Sequence, residues 1–206
     1  VALTTNGSGN ATAVNDAGLT FAASTVGGNL SATATTGNIT DNGKLTIAGT
    51  SSFTTSADNA DITLNNPNAF TGAVALTTNG SGNATIDNGP TALNIAASSV
   101  GGNLTLTSGA AAGITDSGTI TVAGNLVATT DANNGLINLG TLAVDGTVAL
   151  TTNGSGNATA VNDAGLTFAA STVGGNLAAT ATTGNMADSG ALTITGTSSF
   201  TTSANN

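Results

Sequence analysis

The sequence predicts an all-β protein: a triangular parallel β-solenoid (β-helix) with about 22–27 residues per rung and three rungs in each repeat of about 73–74 residues. Three observations predict it. The chain copies itself: residues 1–30 recur without change at 148–177, and a variant of the same string begins at Val74. Residues 1–59 and 148–206 agree at 52 of 59 positions, differing at 31, 39, 40, 42, 44, 48 and 58. Copying at this period marks a stacked-repeat architecture, and a sandwich of independent strands would not produce it. Apolar residues then alternate with polar ones over short runs, which is the period of a half-buried strand. Finally, the chain is rich in Thr, Asn and Gly, which form helix poorly, and 39% of it is hydrophobic, which argues against disorder.

The elements follow in order. The repeats span 1–73, 74–147 and, as a partial copy, 148–206, read together as one continuous segment of a longer array. Within them, short runs recur at Leu19, Leu45, Phe70, Leu93, Ile120, Leu142, Leu166 and Leu192. Their spacing of about 22–27 residues suits one coil of a solenoid. Taking each run as one rung gives a first inward column of those eight residues. A second column holds Phe21, Ile47, Gly72, Ile95, Val122, Val144, Phe168 and Ile194. A further strand contributes Leu3, Leu30, Phe53, Leu76, Leu104, Leu126, Leu150, Leu177 and Phe200. In the step from Leu45, LTIAG, SSFTTS and DITLNN each place alternate residues inward. AG, SADN and NNPN punctuate them, with residue types that suit tight corners.

The string GNLSATATTGNITDNGKLTIAGTSSFTTSADNADITLNNPNAFTGAVAL resembles the repeats of large secreted bacterial surface proteins of the filamentous haemagglutinin type, with their G-x-L-x-φ and G-x-I-T-x-x-G-x-L-x-φ motifs. The resemblance covers essentially the whole chain. It implies a right-handed β-helix, export across the envelope and a rod-like stalk or fibre at the cell surface. Uncovered strand edges on the end rungs are templates for pairing, so the expected partners are more rungs of the same chain or copies stacked end to end, with a host or cell-surface receptor reached through domains outside this stretch.

The inventory of reactive groups is short. There are ten acidic residues, all Asp, one cation, Lys44, and no His, Cys, Trp or Tyr. Triads built on His or Cys are therefore excluded. A net charge of −9 with one cation cannot neutralise a phosphate backbone or anionic lipid, so nucleic acid is not an expected partner. No apolar run reaches the ~20 residues of a membrane span, so membrane insertion is not expected either.

Six Asp residues occur as Asp-x-Gly: Asp16, Asp41, Asp87, Asp116, Asp163 and Asp188. On the rung alignment above they share a corner with Asn66 or Asn68 and Asn138. The plain reading is an Asx turn at each corner. The alternative is a carboxylate ladder that takes up calcium, although one carboxylate per rung falls short of the six to eight oxygens that calcium takes. No other cofactor is expected. Outward Thr residues on the strands suit a sheet; the sharper reading is an ice-binding face. Asn10-Ala11-Thr12 and Asn83-Ala84-Thr85 match the glycosylation acceptor, a match expected often in so Asn- and Thr-rich a chain.

The expected function is that of a non-enzymatic structural shaft of an extracellular adhesin or surface fibre, giving reach and resistance to proteases. Ice binding is the alternative, and polysaccharide cleavage by paired Asp residues the third.

Overall fold

The computed structural model describes residues 1–203. They form short strands joined by corners, strand pairing is parallel, and no helix occurs among the described residues. The chain winds as a β-solenoid of about nine turns. Two long sheets and one short sheet run along it. The first long sheet carries Ala11–Asn15, Leu30–Ala34, Ser51–Asp58 and Val74–Asn79 on successive rungs. The second carries Leu19–Phe21, Ile39–Asp41, Ile62–Leu64 and Ala84–Asp87. The short sheet holds Ser24–Val26, Leu45–Ile47 and Ala69–Phe70.

Period-2 alternation places the core as expected. Leu45, Ile95, Leu104 and Leu150 have no exposed surface. Most of the three inward columns is buried; Leu3, Leu192 and Ile194 near the two ends and Gly72 are partly exposed, and Phe200 is half exposed on the last described rung. Phe53 meets Phe21 edge-on at 6.3 Å and Phe70 at 5.6 Å, so aromatic rings from all three sheets pack together across successive rungs.

The register differs from the sequence alignment. Leu19 pairs with Ile39, not Leu45, and Leu45 lies over Ser24. Ala11 pairs with Leu30, Leu30 with Ser51, and Ser51 with Val74. Such steps of about 19–23 residues are at the lower end for stacked repeats, and the rung is shorter than expected. The physical reason is degeneracy. A Leu-Thr-apolar run serves two different stations of the rung, on the second sheet at Leu19–Phe21 and on the short sheet at Leu45–Ile47. Inward alternation alone does not tell these stations apart.

The count of three rungs per repeat is corrected with it. Four register steps lead from Ala11 through Leu30, Ser51 and Val74 to Ile95. Three more lead from Leu93, two positions earlier on the same strand, through Ile114 and Ile137 to Ala158, the copy of Ala11. Two repeats therefore make seven rungs less two positions, and one repeat about three and a half. As a result, equivalent strands change sheet from repeat to repeat. Ala11–Asn15 lies in the first sheet, its counterpart Ala84–Asp87 in the second, and Ala158–Asn162 in the first again.

Candidate functional site

The chemistry on this molecule is carried by corners and outward faces. The strongest corner feature is a ladder of side-chain amides. The Asn10 carbonyl oxygen accepts the Asn29 N–H, and the Asn29 oxygen accepts the Thr50 N–H. On a second corner Asn38, Asp61, Asn83, Asn103 and Asn125 each accept the backbone N–H one rung on, ending at Thr147, at 2.7–2.9 Å. On the first corner again, Asn157 and Asn176 repeat the pattern to Thr197. Each corner N–H would otherwise lack a partner where the strands bend apart. An Asx ladder is thus present, but not on the Asp-x-Gly positions where the sequence pattern places it. The string that marks much of it is Gly-Asn-Leu, at Asn29, Asn103, Asn125 and Asn176.

The six Asp-x-Gly acids do not form one ladder. Asp41 pairs with Phe21, Asp116 with Ile95 and Asp188 with Phe168, so the expected neighbours Asp16, Asp87 and Asp163 are not beneath them. Each acid has its own setting. Asp16 and Asp163 offer carbonyls to the hydroxyls of Thr36 and Thr182. Asp87 accepts the Gly89 N–H at 2.7 Å in an Asx turn. Asp116 accepts Gly140 and Thr141 N–H and the Thr141 hydroxyl. Asp41 is buried, with one oxygen taking the Asn66 amide at 3.0 Å and the other the Asn68 amide at 2.8 Å. The expected neighbourhood of Asp41 with Asn66 and Asn68 is thus present. Among the described residues, no three carboxylates gather as a metal-holding group.

Three buried asparagines have a different task. The Asn88 side chain accepts the Phe70 N–H at 2.7 Å and donates to the Phe70 carbonyl at 3.1 Å. Asn162 does the same to Val144, at 2.8 and 3.0 Å. In both cases an amide takes the place of the next strand. Asn68, also buried, accepts the Leu45 N–H. These roles give no signal in single-residue patterning.

Each long repeat also opens with the loop Asn-Gly-Ser-Gly-Asn. Its first Gly has positive φ: +57° at Gly7, +60° at Gly80 and +56° at Gly154. A Gly of the following rung lies directly over it. A Cβ on Gly101 would stand 1.8 Å from the Gly80 carbonyl oxygen, and one on Gly174 would stand 1.6 Å from that of Gly154.

The outward faces carry threonine. On the second sheet Thr20, Thr40, Thr63, Thr85 and Thr105 stack without interruption. Two positions along the strand, Thr107, Thr129, Thr151, Thr172 and Thr193 stack likewise. Column counting on the sequence does not find either, because it places the strands one station out. No helix among the described residues is long and apolar enough to cross a membrane.

A family model of repeats of unknown function, DUF5649, matches residues 8–77, 81–134 and 155–206. The chain belongs to this family. No curated protein and no solved structure matches it. The three matched stretches leave out the Asn-Gly pair that opens each Asn-Gly-Ser-Gly-Asn loop.

Proposed function

We propose that this chain is a non-enzymatic structural shaft, the repetitive rod of an extracellular bacterial adhesin or surface fibre. The observation that carries the reading is continuity. Register steps of nearly constant length succeed one another along both long sheets, and corner amides carry the hydrogen bonding around the bends. Stacking of this kind supplies length in proportion to chain and ties each rung to its neighbours only. The lack of His, Cys, Trp and Tyr leaves little with which to build a catalytic centre. An exterior setting and a receptor reached through other parts of the protein complete the proposal. The test is to replace this stretch in the parent protein by an unrelated β-solenoid of equal length. Retained surface display and attachment support a shaft. Loss of attachment with display intact overturns it, because the lost property then resides in these residues.

A second reading, ice binding, is favoured by the two unbroken threonine columns on the second sheet. Hydroxyls and methyls repeat there at roughly 4.8 Å along the axis. The columns share a strand as a Thr-x-Thr pair only at Thr105 and Thr107, which places this reading second. Thermal hysteresis, abolished by Thr63→Lys and Thr85→Lys together, would establish it in place of the shaft.

A further inference from the structure

The three-and-a-half rung repeat has a localised origin. We infer that the decapeptide Val-Ala-Leu-Thr-Thr-Asn-Gly-Ser-Gly-Asn, present at 1–10, 74–83 and 148–157, is a half-turn splice that turns each successive repeat to face the opposite sheet. The repeats start at Val1, Val74 and Val148. Without the ten positions of the splice, each would be about 63–64 residues long, which is three rungs of about 21 residues, a normal size for a stacked coil. Each rung would then stack like on like.

The register shows what the insert does. Before it, Ser51–Asp58, Ile62–Leu64 and Ala69–Phe70 occupy the three stations of one rung. Val74–Asn79 then takes the station above Ser51–Asp58, which pushes Ala84–Asp87 onto Ile62–Leu64. On the next rung Val74–Asn79 has two short strands above it. Val74 pairs with Ile95 and Thr77 with Ser99. The third copy repeats this: Val148 pairs with Phe168 and Thr151 with Thr172.

Three side chains close the gaps the splice creates, and they recur. Where one long strand underlies a bend between two short ones, the Leu76 N–H loses its strand partner and donates to the Ser98 hydroxyl at 3.0 Å; Leu150 donates to Ser171 and Leu3 to Ser24. The loop is held by Thr78, whose hydroxyl donates to Gly82 and accepts from Gly101, as Thr152 does with Gly156 and Gly174, and Thr5 with Gly9 and Gly27. Asn88 and Asn162 fill the station that has no strand above Phe70 and Val144. The threonine clasp is not confined to the splice, since Thr55 donates to Ala60, and Thr130 donates to Gly135 and accepts from Asn153. The serine hydroxyl that accepts a backbone N–H across rungs is found, among the described residues, only where the splice lies beneath a bend. The molecule therefore carries equivalent surfaces first on one long sheet and then on the other, one repeat rising about 17 Å at the usual strand spacing.

The chain has no Cys, so engineered pairs report register cleanly. Thr63 and Thr85 face each other on adjacent rungs. In the full chain, Thr63→Cys with Thr85→Cys should oxidise to a disulfide and Thr63→Cys with Asn94→Cys should not. In a chain lacking 74–83 the preference should reverse, because Leu93–Ile95 then lies over Ile62–Leu64. A folded deletion chain that keeps the Thr63–Thr85 link overturns the inference, and a deletion chain that fails to fold overturns the removable splice. The intact chain gives an independent arm. Thr77→Cys should link to Ser99→Cys and not to Thr105→Cys; the opposite result restores three whole rungs per repeat and overturns the inference outright.

Discussion

Leu104 illustrates what a single side chain contributes. It is fully buried mid-stack, with Ala84 on one side and Leu126 on the other. Leu104→Ala removes apolar contact and leaves a cavity that rigid neighbouring rungs fill poorly, at a cost of about 2–5 kcal/mol. Denaturant titration should show a lower midpoint with an unchanged slope. Asn88 works through polarity instead. Asn88→Ala leaves the Phe70 N–H and carbonyl buried without partners, each at about 1–3 kcal/mol, while Asn88→Asp keeps an acceptor but sets a buried carboxylate against the carbonyls of Phe70, Thr91 and Ala92. The expected order of melting temperature at neutral pH is wild type, then Ala, then Asp. Gly101 acts through space alone. Gly101→Ala drives a methyl into the Gly80 carbonyl and should destabilise by about 1–3 kcal/mol as the loops separate. A melting curve unchanged by this substitution would mean that the two loops do not stack.

At the scale of strand and corner, the sequence is legible in one respect and ambiguous in another. Which side chains point inward follows from alternation, and Phe21, Ile47, Phe53 and Leu126 are buried as expected. Which strand lies on which does not follow, because Leu19–Phe21 and Leu45–Ile47 read alike and sit at different stations. That one ambiguity displaces the acids and conceals both threonine columns. With the true register, Asp41 lies beside Asn66 and Asn68 and away from Asp16. The corners are thus joined by amides and backbone N–H groups. We expect melting with calcium and with chelator to coincide; a rise of many degrees with calcium would reveal a metal corner. The corner at Lys44 offers a second test. Lys44 is exposed, yet its carbonyl accepts the Ser24 N–H, and the Leu45 N–H on the other side of the scissile bond donates to Asn68. A protease must open both bonds to place this peptide in its cleft. Native protein should resist trypsin, and denatured protein should give two fragments.

For the whole molecule, the decisive quantity is the distance along the chain between paired residues. It is nearly the same at the first rung, where Ala11 meets Leu30, as at the last, where Leu177 meets Ser198. In most β proteins, lengthening the chain lengthens the loops that must close, and folding slows as contacts become less local. Here every added rung closes a loop of the same size, at a cost that depends only weakly on that size. Relative contact order therefore falls as repeats are added. Assembly can start at any favourable rung and advance to its neighbour, like a zip fed from one end. A chain of twice the length should complete folding in a time that grows about linearly with rung number. It should also show protected amides in one block before the rest, as pulsed hydrogen exchange can follow. A chain emerging from a narrow passage could thus fold as it appears, each new rung using the last as its template.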